Sequence, residues 1–173
     1  MTAEWATKLG RPTTYAEARE TFGRFYWGTN GEPGNVHNER LRLPARQVER
    51  WAGGFELNIF TGRTRKEFDY TFERWPARRH FRTVVTMDDV EHKKPHPEGL
   101  LQILGRREPR RAVYLGDNVD DALAAREAGV AFLAILPDNA YGYRERAAQF
   151  RQLGAAGILP RAGELERWLK KTG

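Results

Sequence analysis

The stretch AVYLGDNVDDALAAREAGVAFLAIL, residues 112–136, reads as a strand, a helix and a second strand in succession. AVYLG (112–116) and VAFLAIL (130–136) are short runs of β-branched, aromatic and aliphatic residues, the composition of buried strands. Between them VDDALAAREAG places Ala122, Ala125 and Ala128 on one close-packing side and stops at a glycine. Strand, helix and strand at this spacing make a crossover unit, and such units build a parallel sheet with helices on both faces. The same alternation extends outward. Upstream lie GFELNIF (54–60), the helical pattern RTRKEFDYTFERW with Phe68, Phe72 and Trp75 at i, i+4 and i+7, the run RTVVTM (82–87), and a short helix PEGLLQIL closed by Gly105. Downstream come an amphipathic helix over about 143–153, a brief strand GILP and a last helix GELERWLKK. An α/β fold of three layers is expected from residue 54 onward.

Residues 1–53 read differently. Thr14-Tyr15-Ala16-Glu17 has the form of a capping box opening a helix through about Tyr26. A turn-rich segment, WGTNGEPGNVHNERL, follows, and a second helix is expected to start at Pro44 and end at the Gly53-Gly54 pair. No strand of the main sheet is visible here.

Bulk composition narrows the function classes. The chain has 173 residues, 40% hydrophobic and 30% charged, as expected of one globular domain with a small appendage. No apolar run reaches bilayer length, so no membrane partner is expected and a cytoplasmic location is the default. With no cysteine, disulfides and thiolate metal sites are excluded. Basic residues number 29 against 23 acidic, for a net charge of +6. They are scattered and interleaved with acids, as at Arg106 to Arg111, and no basic block has the aromatic spacing of a strand-binding surface. Nucleic acid is therefore not expected as a partner; a small anionic substrate suits the same positive field.

Open parallel sheets bind ligands beyond the carboxyl ends of their strands, so the residues that follow each run matter most. After the first run stands Thr61-Gly62-Arg63, where a hydroxyl and free amides ahead of a helix make a cradle for an anion, or where the threonine is simply an N-cap. After the second lies Glu91-His92-Lys93-Lys94-Pro95-His96-Pro97. A lysine beside two prolines is held on a stiff loop, facing a phosphate or carboxylate or else solvent. His92 and His96 read as loop residues, since no partner has ligand spacing. After the third comes Gly116-Asp117-Asn118-Val119-Asp120-Asp121. Carboxylates this crowded repel unless a cation sits among them, and oxygen-only ligation by Asp117 and Asp121 suits Mg²⁺; alternatively the acids merely favour a helix N-terminus.

Taken in order, VVTMDDVEHKKPHPEGL and AVYLGDNVDDALAAREAGV resemble the lysine motif and the acidic GDxxxD motif of the haloacid dehalogenase (HAD) superfamily, and IFTGR resembles its threonine motif. The resemblance covers about residues 54–160. It implies a Rossmann-like HAD core at 54–173, with 1–53 as a residual helical cap and its return segment. It also implies Mg²⁺-dependent hydrolysis of a small phosphorylated metabolite. In that reading Thr61 and the Gly62 amide hold phosphate oxygens, and Lys94 neutralises charge between nucleophile and phosphate. Asp117 ligates Mg²⁺, and Asp121 ligates it or anchors the lysine.

One departure is large. The family's opening strand ends in DxDG, which supplies the nucleophile, and no such motif occurs in this chain. Low or no activity is therefore expected of it, with a catalytically dead remnant binding a metal, an anion or a protein as the alternative. The opening strand of the family lies between the strands at 55–60 and 112–116. The gap is expected to be closed by direct pairing of those strands, by the N-terminal segment, or by a second chain in a homo-oligomer.

Overall fold

A computed structural model describes residues 14–172 and divides into two compact units, Met1–Arg42 and Leu43–Gly173. In the first, helix α1 (Tyr15–Trp27) opens with the expected capping box: the Glu17 amide donates to the Thr14 hydroxyl at 3.2 Å and the Thr14 amide to Glu17 Oε2 at 2.7 Å. Strands β1 (Gly28–Thr29) and β2 (Glu32–Pro33) pair antiparallel around a turn with Asn30 and Gly31 at positive φ. Val36 and Tyr26 are buried, and the Tyr26 hydroxyl donates to Glu39 at 3.0 Å.

The second unit is the α/β part. Its elements run α2 (Ala45–Ala52), β3 (Leu57–Phe60), α3 (Arg65–Phe72), β4 (Phe81–Val85), α4 (Glu98–Leu104), β5 (Val113–Gly116), α5 (Val119–Ala128), β6 (Ala131–Ile135), α6 (Tyr143–Gln152), β7 (Gly157–Leu159) and α7 (Leu165–Thr172). Every run singled out in the sequence from residue 54 onward forms its expected strand or helix within a few residues. Helix α2 belongs to this compact unit. Its Trp51 is buried with Leu133 and Leu165, and Gln47 and the Trp51 indole donate to Glu166 at 2.7 and 3.0 Å.

All pairings among β3 to β7 are parallel, but they form two sheets. β3 pairs with β4; β5, β6 and β7 form the other, in that order. Among the described residues no strand pairs with the free edges of β3 and β5. Of the three closures expected, direct pairing of these strands does not occur. A side chain crosses instead: the Tyr114 hydroxyl of β5 lies 3.1 Å from the Phe60 carbonyl of β3. Residues 1–13, the earlier part of the N-terminal segment, lie outside the described residues.

Alternation along the strands explains the two covered faces. Phe60, Phe132 and Ala134 turn to one face and pack with Leu100, Ala122, Ala125 and Phe150 of α4, α5 and α6. Leu57, Leu115, Leu133 and Leu159 take the other face, with Trp51 and Leu165. The alanines of α5 let that helix lie close. Gly99 does the same for α4, since a Cβ there would meet the Phe60 ring at 2.2 Å. Phe68, Phe72 and Trp75 meet in succession, tilted and then edge to face, at centroid distances of 4.4 and 5.2 Å. Among the described residues no helix is long and apolar enough to cross a membrane.

Candidate active site

The site is built at the carboxyl ends of β3 and β5 and on the loop after β4. Its centre is Asp121, in the first turn of α5 and only 5% exposed. Oδ2 accepts from the amides of Asp117 and Asn118 at 3.2 and 3.1 Å, so the carboxylate caps its own helix. Oδ1 accepts from Lys94 Nζ at 2.6 Å and lies 2.9 Å from the Tyr114 hydroxyl. The carboxylate is thus wholly engaged. Its contacts tie Lys94 to the first turn of α5. Gly116 makes room for it: a Cβ there would lie 2.6 Å from Asp121 Cβ and Oδ2.

Lys94 is the other half of the pair. Its side chain is 15% exposed, too buried for a free ammonium, and three groups compensate the charge. Besides Asp121, the Tyr114 oxygen is at 3.2 Å, and the face of the Phe60 ring is 4.7 Å from Nζ. A methyl group on Gly62 would sit 3.9 Å from Lys94 Cε, so the loop after β3 meets the lysine loop at this point. The Lys94–Pro95 peptide is cis.

Thr61 is not the N-cap of α3. That role falls to Thr64, whose hydroxyl accepts from the Glu67 amide at 3.3 Å while Glu67 accepts the Thr64 amide at 2.9 Å. The sequence shows this as Thr64-x-x-Glu67, a capping-box signal that outranks Thr61. Thr61 instead lies on the rim, half-buried, its hydroxyl accepting from the Arg63 amide at 3.3 Å. Asp117 is exposed, and its carboxylate takes no hydrogen bond among the described residues; its carbonyl accepts from Arg146 at 3.1 Å.

Asp88 and Asp89, the other adjacent aspartates, are tied to α3. Asp88 accepts the Arg65 amide at 2.8 Å, while Asp89 accepts the Thr86 amide and hydroxyl, both at 2.7 Å, and pairs with the Arg65 guanidinium. Burial alone would raise the Asp89 carboxyl; Thr86 and Arg65 outweigh it and hold the group below the usual carboxylate range.

Tyr114 is the site residue the sequence reading did not single out. Its one hydroxyl proton can go to Phe60 or to Asp121 but not to both at once. Burial, and next the adjacent Asp121 charge, push the phenol far above the ordinary tyrosine range. The chain has six tyrosines, and Tyr114 is expected to be missing from those that ionise in an absorbance titration of the folded protein. An unfolded tyrosine loses its proton near pH ~10 while native Tyr114 keeps it. Tyr114 therefore makes stability fall as pH rises above that value, and Tyr114→Phe should flatten the alkaline limb of a stability profile. A limb of unchanged slope would show that this hydroxyl is not held protonated.

Comparison with known proteins points to one family. The family model described as haloacid dehalogenase-like hydrolase matches residues 50–135, which run from α2 through β6. Among curated proteins, pyrophosphatase PpaX of Bacillus cereus is 38% identical over 85 residues, 47% of this chain and 39% of the relative. PpaX of Anoxybacillus flavithermus is 37% identical over 78 residues, 44% of this chain and 36% of the relative. The match thus spans well under half of either relative. Among solved structures, a Bacteroides fragilis protein provisionally described as a haloacid dehalogenase-like hydrolase superposes with a TM-score of 0.73 at 22% identity, over 95% of this chain and 77% of that one. A Haemophilus somnus protein provisionally described as a phosphoglycolate phosphatase gives 0.71 at 20% identity, over 96% and 73%. At such identities the structural likeness speaks to the fold alone.

Proposed function

This chain belongs to the haloacid dehalogenase-like hydrolases, and from that premise we propose that it carries the phosphate-binding half of a Mg²⁺-dependent phosphatase acting on a small phosphorylated metabolite. The observation that carries the reading is the anchored Lys94, 2.6 Å from Asp121 at the meeting point of three loops. An ammonium so placed, with the Thr61 hydroxyl and the Gly62 amide on the same rim, offers fixed positive charge and donors to a phosphoryl group. These act where an anionic nucleophile would otherwise be repelled by the phosphate.

The donor set fits a magnesium ion in part. Mg²⁺ takes one or two carboxylates and keeps waters, and Asp117 offers an exposed carboxylate free of hydrogen bonds among the described residues. Asp121 has no oxygen to spare. Bound there, the ion would neutralise phosphate charge. The nucleophile is, in this proposal, an aspartate on a strand outside these 173 residues that lies between β3 and β5. The two relatives named as pyrophosphatases and the neighbour described as a phosphoglycolate phosphatase support a phosphorylated substrate without choosing one.

Hydrolysis of p-nitrophenyl phosphate with Mg²⁺ tests the reading. Little or no turnover is expected of the chain as it stands, and strong turnover once an upstream strand ending in Asp-x-Asp precedes it. Absence of turnover from both would reduce the family relationship to ancestry and favour the alternative of a non-catalytic binding module. In calorimetry, Asp117→Asn should abolish whatever Mg²⁺ affinity remains; unchanged binding would make the acidic turn a helix cap only.

A further inference from the structure

We propose that the loop between β4 and α4 holds a second cation site, distinct from Asp117, in which His92, His96 and Glu98 take a divalent transition ion of the Zn²⁺ type. Each of the three offers one ligand atom, and these atoms all lie within 4.8 Å of one another. A tetrahedral ion with bonds of about 2.0–2.1 Å spaces its ligands roughly 3.3 Å apart, so the side chains need to close by little more than an ångström. His92 and His96 are exposed and able to make that adjustment; their rings already lie 4.6 Å apart.

Glu98 is the fixed member. Its Oε1 accepts the Glu91 amide at 2.9 Å and its Oε2 the His92 amide at 2.8 Å. The backbone therefore orients the carboxylate before any ion arrives, as supporting hydrogen bonds do around metal ligands. His92 Nδ1 lies 3.0 Å from Glu98 Oε2, a proton-bridged pair in which a cation can replace the proton once the ring carries its hydrogen on Nε2. His96 Nδ1 accepts the Glu98 amide at 3.2 Å, a long bond that ligation through that atom would displace.

Two imidazoles and one carboxylate suit Zn²⁺, Co²⁺, Ni²⁺ or Cu²⁺ rather than Mg²⁺, which prefers oxygen and water. Three protein ligands leave the remaining position to solvent. Lys94 sits inside the same loop, between the two histidines, so a bound ion would stiffen the segment that presents it. Spacing in the sequence concealed the site, because the third ligand joins only when the start of α4 folds back on the loop.

The test is titration of the whole chain with Co²⁺ in millimolar Mg²⁺, read by ligand-field absorption, followed by displacement with Zn²⁺. A single equivalent with imidazole-type bands is expected, displaced by Zn²⁺ and unaffected by Asp117→Asn. Even supporting residues of metal sites change affinity about 10–100-fold, so loss of a ligand in His92→Ala or His96→Ala should weaken binding by about 100-fold or more. Nitrogen-15 spectra of the unmodified protein with Zn²⁺ give a readout free of variants: shifts are expected at the rings of His92 and His96 but not at His37 or His80. Absent bands, bands that survive both substitutions or vanish with Asp117→Asn, or ring shifts confined to His37 and His80 would overturn the proposal.

Discussion

Joining to this chain an upstream segment whose strand ends in an aspartate is expected to raise Mg²⁺-dependent phosphate ester hydrolysis by about 10⁴-fold or more. Removing a nucleophile from a site that otherwise stays intact costs on the order of 10⁴–10⁶ in turnover, and the remaining donors and cations account for the residue. In the proposed reading those remaining parts are Lys94, 2.6 Å from Asp121, and Thr61, whose hydroxyl does not cap α3. A strand entering between β3 and β5 would end beside Lys94, whose ammonium lies against Phe60 of β3 and Tyr114 of β5. In the extended protein Lys94→Met should then lower kcat by about 10²–10³-fold, the scale found for removing one preorganised donor. Steady-state assays of both forms decide the matter. An extended protein that folds, binds Mg²⁺ and does not turn over would sink the phosphatase reading.

Asp121→Asn is expected to destabilise the fold by about 3–5 kcal/mol, the cost of stranding one member of a buried pair. The carboxylate accepts at both ends: two backbone amides at Oδ2, and Lys94 with Tyr114 at Oδ1. An amide has one accepting end. Whichever way the substituted side chain turned, its NH₂ would face either the Asp117 and Asn118 amides or the ammonium. A chain of this size should lose roughly 10 °C in Tm. Pairing the change with Lys94→Met removes the stranded charge, so the double variant should recover part of the loss in urea denaturation. A single variant within about 1 kcal/mol of the parent would mean the pair is solvated rather than buried.

Much of this was legible in the sequence, for identifiable reasons. Strands β3 to β7 announce themselves because each is a short apolar run bounded by turn residues, and the helices by spacing and by glycine stops such as Gly105 and Gly129. Lys94 and Asp121 were legible as types, a stiffened lysine and a crowded acid. Their bond was legible only as one of the two roles that the family resemblance left open for Asp121, since it joins the loop after β4 to the first turn of α5. The role of Tyr114 was hidden for the same reason: its partner is the carbonyl of Phe60, at the end of another strand. Thr61 suits an N-cap by residue type alone, but Thr64 with Glu67, three residues on, carries the stronger signal and takes that role. His92 and His96 lack a third ligand at any regular spacing, and Glu98 supplies one only by folding back.

A parallel sheet interrupted along its middle also changes how the molecule comes apart. Ladder hydrogen bonds make neighbouring strands open together, and none joins β3 to β5 among the described residues. Among the described residues the β3–β4 pair meets the three-stranded remainder through side chains, in the cluster of Phe60 with Phe132, in that of Leu57 with Leu115, and at Tyr114. Amide exchange should accordingly sort the strands into two cooperative classes. The smaller pair would open first and β6, flanked on both sides, last.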